Sequence, residues 1–211
     1  MNNFFVLTAD NSYTLYNKNF DEHYHSITGA YEEALKKYFE PLEIEDDMTI
    51  LDFCFGLGYN SFTAISLRKN LKITALENDI EVIKKIYDFP YPKNLQQTVQ
   101  NFISLYRYDT LRDDKNNEIK LILKDASISI KELNSGQFDR IFFDPFSPSK
   151  IPKLWTKEIF DNLYKLLKVG GKLSTYSCAK KIRANMIDAG FKVIDGPSIG
   201  RKSPSTIAIK E

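Results

Sequence analysis

The 211-residue sequence has few of the residues that build disulfide frameworks, metal centres or membrane spans. Its two cysteines, Cys54 and Cys178, lie far apart and form no Cys-x-x-Cys pair, so neither a disulfide framework nor a zinc site is indicated. The two histidines, His23 and His25, would point to opposite faces of an extended segment, and we expect no metal site. No apolar run approaches the roughly 20 residues that span a bilayer, and the N-terminus lacks the features of a signal peptide. We therefore expect a cytoplasmic protein without membrane segments.

The most informative segment is residues 49–60, Thr-Ile-Leu-Asp-Phe-Cys-Phe-Gly-Leu-Gly-Tyr-Asn. Its apolar run has the length of a buried strand, and Gly56 and Gly58 are typical of a tight turn into a following helix. Glycine lets the backbone approach a ligand at a distance that a Cβ would prevent. This arrangement predicts a pocket for a nucleotide-type cofactor.

Strand and helix patterns alternate along most of the chain. Apolar patterning predicts strands at residues 50–55, 73–77, 119–124, 140–143, 172–176, 191–194 and 206–209. Helices are predicted at 61–71, 80–87, 95–105, 128–133, 156–167 and 179–189, with a polar loop at 112–118. Such alternation builds a parallel sheet with helices on both faces, and two successive strands at the end make the last one antiparallel. We predict an α/β, Rossmann-like doubly wound sheet of the class I methyltransferase type.

A shorter extension precedes this sheet. Residues 4–9 and 13–16 resemble two strands around the turn Asp10-Asn11-Ser12, and residues 28–39 have helical spacing. We predict one domain over residues 1–211, in which 1–45 form a β-hairpin and helix extension and 46–211 form the Rossmann-like core.

Three acidic residues follow predicted strands, at the sheet edge where such folds bind ligands. Glu77 lies 21 residues after Gly56, the distance at which a carboxylate meets ribose hydroxyls. Asp125 is placed to accept from an exocyclic amine, and Asp144 ends the fourth strand in Phe-Phe-Asp-Pro-Phe-Ser-Pro. Any one of these acids could instead cap the following helix, although three such caps together are not expected.

The phosphate-binding motifs of other nucleotide folds are absent from the sequence. A nicotinamide fold requires Gly-x-Gly-x-x-Gly, but the sixth position here is Ser61, and no Gly-x-x-x-x-Gly-Lys-Ser/Thr loop occurs. S-adenosyl-L-methionine has no phosphates and needs neither motif. We therefore expect it as the cofactor, with these residues binding it: Phe55, Gly56, Gly58, Asn60, Glu77, Asp125 and Ala126.

Five segments occur in a distinctive order: residues 24–33, 52–60, 143–150 with Leu154-Trp155, 175–179 and 200–202. Together they resemble the methyltransferase domain of the bifunctional tRNA 5-methylaminomethyl-2-thiouridine biosynthesis proteins (MnmC), and more closely its single-domain relatives without the oxidase half. The resemblance implies methylation of an aminomethyl group at C5 of the wobble uridine, in the anticodon region of tRNA. It also implies that the free aminomethyl form is supplied from elsewhere.

Asp144 is the expected catalytic residue. Methyl transfer is an in-line displacement at a sulfonium, so the protein must align the acceptor amine and accommodate its protons. Asp144 can orient the amine and accept or relay a proton, while Pro145 and Phe146 form a stiff turn whose ring could pack on the pyrimidine. From the resemblance alone, Glu33 is expected to bind the methionyl ammonium; the alternative is a solvated helical glutamate.

The net charge of +1 conceals an uneven distribution. Residues 145–211 carry 13 Lys and Arg against 5 Asp and Glu, whereas residues 1–144 carry 16 against 23. One interpretation is a set of solvated, lysine-rich helix faces. The other is a surface for a phosphate-bearing substrate around Asp144, because four basic residues follow strands that end at its edge of the sheet. They are Lys150, Lys180, Arg201 and Lys202.

Two other functional classes remain open at this point. An aminopropyltransferase of the spermidine-synthase type also has an N-terminal β element and an aspartate after the fourth strand, but a small polyamine suits an acidic tunnel. A non-catalytic module that binds S-adenosylmethionine or RNA has no need of a rigid Asp-Pro-Phe turn. We rank a tRNA methyltransferase ahead of both, and the oligomeric state stays open.

Overall fold

The computed structural model describes residues 5–211. The strands are β1 (Phe5–Leu7), β2 (Tyr13–Asn17), β3 (Glu22–His23), β4 (Thr49–Phe53), β5 (Lys72–Glu77), β6 (Thr110–Arg112), β7 (Glu118–Leu123), β8 (Phe138–Phe143), β9 (Leu167–Thr175), β10 (Lys192–Asp195) and β11 (Thr206–Ile209). The helices are α1 (Ala30–Glu33), α2 (Tyr59–Leu67), α3 (Ile80–Lys85), α4 (Lys93–Gln100), α5 (Ala126–Ser129), α6 (Lys157–Leu166) and α7 (Lys180–Asp188). A π-helix (Ala34–Phe39) continues α1, and a 3₁₀ helix (Pro152–Trp155) precedes α6.

The central sheet has eight strands in the order β10-β11-β9-β8-β4-β5-β7-β6. Strands β7, β5, β4, β8 and β9 are parallel, while β11 runs antiparallel to both β9 and β10. The predicted Rossmann-like doubly wound sheet with an antiparallel last strand is therefore confirmed. From β4 the chain continues to one side through β5 and β7 and then returns to the other side at β8. Ligands bind at such a switch point, at the carboxyl ends of the strands.

Two features of this sheet differ from the predicted elements. Strand β6 was not predicted, because it is a three-residue edge strand with two exposed residues and shows no apolar alternation. Strand β9 begins at Leu167 rather than at residue 172, so that Gly170 and Gly171 lie inside it. A register irregularity between β8 and β9 accommodates the glycine pair.

The N-terminal sheet has three antiparallel strands in the order β1-β2-β3. The predicted hairpin is present, with Phe5 opposite Leu15, whereas residue 4 lies outside the described residues. The additional strand β3 was missed, because two residues are too few to produce a pattern. The helix predicted at 28–39 is present as α1 and its π-helical continuation.

Two hydrophobic clusters pack on the two faces of the central sheet. Strand β4 supplies both, because neighbouring side chains point to opposite faces: Ile50 packs on one side, and Leu51 and Phe53 on the other. All three side chains are fully buried. Within residues 5–211, no helix combines the length and apolar character needed to cross a membrane.

The turn between β4 and α2 requires glycine at position 58. Gly58 has φ +74°, and a Cβ there would lie 2.5 Å from the Phe55 ring and 2.6 Å from the Phe62 ring. A left-handed backbone costs an ordinary residue about 1–2 kcal/mol, and forcing atoms into packed rings costs about 1–3 kcal/mol more. Packing against aromatic rings, as well as backbone conformation, therefore accounts for this glycine.

We expect Gly58→Ala to lower the free energy of unfolding by about 2–5 kcal/mol, measured by urea denaturation. Gly136→Ala is the matched control, because Gly136 has a similar φ of +65° but open space around its Cβ position. The control should lose only about 1–2 kcal/mol. Equal losses at the two positions would show that the aromatic contacts do not matter.

Candidate active site

A cavity of about 850 Å³ opens at the carboxyl ends of the central strands. This volume is within the range of small-molecule sites in proteins. Its walls include residues that follow the strands of the central sheet: Cys54, Phe55, Gly56, Asn78, Asp79, Asp125, Ala126, Asp144, Pro145, Phe146, Tyr176 and Arg201. The β2–β3 hairpin and the helix that begins with α1 supply the opposite wall, so the N-terminal extension forms part of the site.

Glu77 joins two of the turns that line this cavity. Its Oε2 accepts a hydrogen bond of 2.8 Å from the Gly56 amide, and its Oε1 accepts from the amides of Asn78 and Asp79 at 2.7 and 2.9 Å. Burial raises the pKa of Glu77, although these three amides act in the opposite direction. Asp79, not Glu77, caps α3. The carboxylate is thus fixed at the cavity wall, where it suits the predicted ribose contact.

Asp125 both caps a helix and lines the cavity. Its Oδ1 accepts from the Ser127 amide at 2.9 Å, which caps α5, and its Oδ2 pairs with Lys153 at 2.7 Å. Burial opposes ionisation, but the hydrogen bonds from Lys153 and Ser127 outweigh it and hold the pKa of Asp125 below its usual value. The cap considered from the sequence is therefore real for this acid. Ala126 is buried beside it on the same wall.

Gly58 and Asn60 were predicted to bind the cofactor, but they do not line the cavity in the described part of the chain. Gly58 packs against aromatic rings, and buried Asn60 donates its amide to Asp144 at 3.0 Å. Their predicted cofactor role rested on their place in the glycine turn, which does not reveal which way a side chain points. Phe55 and Gly56, by contrast, do line the cavity.

Glu33 lies at the cavity wall in a buried ion pair. Its Oε1 accepts from the Lys37 ammonium at 2.6 Å, and its Oε2 accepts from the Ser26 amide at 2.8 Å. Both side chains are about nine-tenths buried or more, so the alternative of a solvated helical glutamate is wrong. Lys37 was not predicted, although its position four residues after Glu33 on a helix was a usable signal.

Asp144 receives one hydrogen bond on each carboxylate oxygen. The Tyr38 hydroxyl donates to Oδ1 at 2.5 Å, and the Asn60 amide donates to Oδ2 at 3.0 Å. Burial raises the pKa of Asp144 to about 7, helped by the nearby Glu33 carboxylate and opposed by the two hydrogen bonds. Tyr38 was not predicted, because only the fold brings it to a residue 106 positions later.

The turn after Asp144 is held by hydrogen bonds to its backbone. The Trp155 indole donates to the Phe146 carbonyl at 2.9 Å, and the Tyr176 hydroxyl donates to the Pro145 carbonyl at 3.2 Å. Trp155 is 2% exposed, so its ring supports the turn from within the core. Pro145 and Phe146 both line the cavity, as their predicted substrate role requires.

The N-terminal hairpin lies against this turn. The Phe146 ring stacks on Phe20 at a centroid distance of 4.7 Å and meets Tyr24 edge-on at 5.0 Å. The Ser147 amide and hydroxyl both donate to the Glu22 carboxylate, at 3.1 and 2.9 Å to Oε2. Apolar stacking and hydrogen bonds therefore hold the N-terminal extension against the turn that follows Asp144.

The four predicted basic residues fall into two groups. Lys150 and Arg201 line the cavity, where Lys150 pairs with Asp21 at 3.3 Å and Arg201 donates to the carbonyls of Tyr176 and Pro204. Lys180 and Lys202 are exposed and do not line it. Among residues 5–211, neither of these two has a carboxylate within 4.0 Å. Their charges face solvent.

His25 lies in a buried environment within the N-terminal extension. His25 is buried between Thr14 and Tyr59, with its ring 4.7 Å from the Tyr59 ring, and burial lowers its pKa to about 4. In the part of the chain that the structure describes, no group of three His, Cys, Asp or Glu side chains could hold a metal ion.

Comparisons with known proteins agree with this geometry. Residues 90–211 match the model of an S-adenosyl-L-methionine-dependent methyltransferase family. The crystal structure of MnmC2 from Aquifex aeolicus aligns at 30% identity with a TM-score of 0.86, covering 99% of this chain and 70% of that chain. The bifunctional MnmC of Leptospira interrogans is 30% identical over 220 residues, which are 93% of this chain and 34% of that protein. Spermidine synthase from Thermotoga maritima aligns with a TM-score of 0.59 at 16% identity over 93% of this chain and 67% of its own, which shows the fold alone.

The sheet order is that of the class I methyltransferase fold. The chain belongs to the S-adenosyl-L-methionine-dependent methyltransferase family, with S-adenosyl-L-methionine as its cofactor. The resemblance to the methyltransferase part of the MnmC proteins is confirmed. The chain spans about a third to three fifths of the length of the curated relatives that it matches.

Asp52 is a further buried acid next to this site, in the middle of β4. Its Oδ2 accepts from the Ser61 hydroxyl at 2.6 Å, while its Oδ1 has no partner among the described residues. Burial raises the pKa of Asp52 to about 7, with smaller contributions from the charges of Asp144 and Glu77. A buried, half-satisfied carboxylate of this kind favours its protonated form.

We expect the free energy of unfolding to fall as the pH rises from 5 to 8. Folding raises the pKa of Asp52 from 3.8 to about 7, so its contribution is complete below pH 3.8 and is lost as the pH approaches and passes 7. Asp52→Asn, which cannot ionise, should flatten this dependence in urea denaturation at pH 5, 6.5 and 8. The exposed Asp114→Asn control should keep the wild-type slope. If the free energy of unfolding of Asp52→Asn depends on pH as steeply as that of the wild type, Asp52 is not the group responsible.

Proposed function

We propose that the protein transfers one methyl group to the primary amine of a 5-aminomethyl group on the wobble uridine of tRNA. The product is the methylaminomethyl nucleoside. The observation that carries this proposal is Asp144, a carboxylate held by two hydrogen bonds on the acceptor side of the cavity. The names of the MnmC relatives supply the nucleoside class, because they describe 5-methylaminomethyl-2-thiouridine biosynthesis in tRNA.

The residues on the cavity walls fit S-adenosyl-L-methionine. Glu77 would receive the ribose hydroxyls and Asp125 with Ala126 would hold the adenine, since all three line the same wall. Glu33 would receive the methionyl ammonium, because its carboxylate is buried at the cavity wall beside a single ion-pair partner among the described residues, Lys37. When bound, this cofactor supplies an electrophilic methyl group on a sulfonium.

Asp144 would prepare the acceptor for attack. A primary alkylamine is mostly protonated at neutral pH, and only its neutral form has the lone pair that forms the new N–C bond. The substrate ammonium would therefore lose one proton, which Asp144 accepts and relays to water. As the N–C bond forms, the S–C bond breaks and its electron pair stays on sulfur. The charge of Asp144 then faces the new ammonium.

The test is transfer of labelled methyl from S-adenosyl-L-methionine to tRNA that carries the free aminomethyl nucleoside, followed by nucleoside analysis. We expect Asp144→Asn to lower kcat by about 10²–10⁴-fold while the dissociation constant for the cofactor stays within about threefold. The matched control is Asp139→Asn, because Asp139 lies on the same strand but pairs with Lys168 away from the cavity. The wild-type rate should rise with pH through about 7, as Asp144 ionises.

An Asp144→Asn variant with the activity of the wild type would remove Asp144 from the mechanism. If the cofactor binds but no nucleoside is labelled, the assignment to tRNA is wrong. Labelled transfer of an aminopropyl group from the decarboxylated cofactor to a polyamine would then identify the spermidine-synthase type of chemistry.

Exposed basic residues beside the cavity would bind the tRNA backbone. Lys180 follows β9 and Lys202 follows β10, so both lie at the edge of the sheet where Asp144 lies. Each is exposed, and neither has a carboxylate partner within the described residues. Lys150, by contrast, is partly neutralised by Asp21. We therefore assign the strongest phosphate contacts to Lys180 and Lys202.

We expect the double charge reversal Lys180→Glu and Lys202→Glu to weaken tRNA binding and to lower the slope of log affinity against log salt by about two. The cofactor affinity should not change. Lys120→Glu is the control. Lys120 is exposed on β7, which lies next to the last strand β6, on the other side of the sheet from β9 and β10 in the strand order. Filter binding at several salt concentrations measures both quantities. A double variant with wild-type affinity and slope would place the tRNA elsewhere.

A further inference from the structure

The hydrogen bonds to Asp144 fix the orientation of its carboxylate. Tyr38 and Asn60 donate to different oxygens and come from different parts of the chain, the π-helix and the start of α2. Tyr38 is fully buried, with its ring edge-on to Phe142 at 6.2 Å, and Asn60 is 5% exposed. A rotation of the carboxylate would break both hydrogen bonds. Its plane is therefore set by two rigid elements.

This arrangement leaves one free acceptor position on each oxygen. An ionised carboxylate has about four lone-pair sites, and Tyr38 and Asn60 occupy one on each oxygen. Asp144 is otherwise partly exposed and lines the cavity. The side chain can thus accept two further hydrogen bonds, one per oxygen, from a group in the cavity.

We propose that Tyr38 and Asn60 are positioning residues that make Asp144 a two-point acceptor for a primary amine and thereby limit transfer to one methyl group per amine. The inference rests on the proposed function, since it concerns the choice of acceptor at the same site. It adds the residues that select a primary over a secondary amine and the reason why transfer stops after one methyl group.

The preference for a primary amine follows from the number of N–H bonds that the neutral acceptor amine has when it attacks the methyl group. After the primary ammonium has released one proton through Asp144 to water, the neutral amine keeps two N–H bonds, one for each oxygen, and its lone pair faces the methyl group. The new N–C bond forms, the S–C bond breaks with its electron pair left on sulfur, and the product is a secondary ammonium.

A second transfer would need that secondary ammonium to lose a proton. The neutral secondary amine has a single N–H bond, so it can satisfy only one oxygen of Asp144 and must place its methyl group against the other. A buried acceptor without a donor is costly, and sites built around two hydrogen bonds reject analogues that offer one. If the carboxylate could rotate, it could bind the secondary amine through one oxygen and turn the other oxygen away from the methyl group. The secondary amine would then be accepted.

The experiment compares two acceptor tRNAs, one with the aminomethyl and one with the methylaminomethyl nucleoside. The ratio of their kcat/KM values is measured for wild type, Tyr38→Phe and Asn60→Ala, and dimethylated product is sought by mass. We expect each variant to reduce the preference for the primary amine by about tenfold, the value of one hydrogen bond to a charged group. Tyr59→Phe is the matched control: its buried hydroxyl donates to the Tyr13 carbonyl at 2.9 Å and does not contact Asp144.

A second readout separates positioning from a general loss of structure. The Tyr38 hydroxyl favours the ionised form of Asp144, so its removal should raise the pKa of that carboxyl further. The rising limb of the pH–rate profile should then move to higher pH in Tyr38→Phe and stay in place in Tyr59→Phe. Tyr38→Phe and Asn60→Ala remove hydrogen bonds from different oxygens of Asp144. If one of these variants fails to fold, the amine preference of the other still tests the inference.

Active variants with the wild-type amine preference and pH profile would overturn the inference and leave the proposed function intact. An equal loss of preference in Tyr59→Phe would also overturn it. Wild-type enzyme that labels neither tRNA would contradict the proposed function, and the inference with it.

Discussion

The desolvation of carboxylates at one edge of the sheet is the constraint on which the site depends. Parallel strands end together at this edge, and the elements packed around them partly remove the acids at the strand ends from water. Each is held by donors from another element: Glu77 by the glycine turn, Asp125 by Lys153, and Asp144 by Tyr38 and Asn60. The acids thus connect the elements that surround the cavity.

The N-terminal extension completes the site rather than merely preceding the core. It supplies the Tyr38 hydroxyl to the Asp144 carboxylate and the Glu33–Lys37 pair to the cavity wall. The π-helix contributes to this, because consecutive residues Lys37 and Tyr38 both make polar contacts at the site. Such π-helical turns occur frequently at functional sites. The hairpin then contacts the turn after Asp144 through Phe20 and Glu22.

Many basic residues of the C-terminal third form ion pairs within the chain. Examples are the ion pairs of Lys153 with Asp125, Lys168 with Asp139 and Arg183 with Asp195. Exposed pairs of this kind contribute little to stability and are screened by salt. These pairs agree with the interpretation of solvated, lysine-rich faces, whereas the proposed phosphate contacts concern Lys180 and Lys202, which have no carboxylate partner within the described residues.

The sequence by itself determined the sheet, the glycine turn and the positions of the three strand-end acids, because these depend on local periodicity and on spacing along the chain. The tertiary structure alone decided which side chains meet. Tyr38 and Asp144 are 106 residues apart, and no local pattern links them. Asn60 turned towards Asp144 rather than the cofactor cavity, and Glu33 became buried by pairing with Lys37. Strand β6 escaped prediction because pairing with β7, rather than its own residues, makes it a strand.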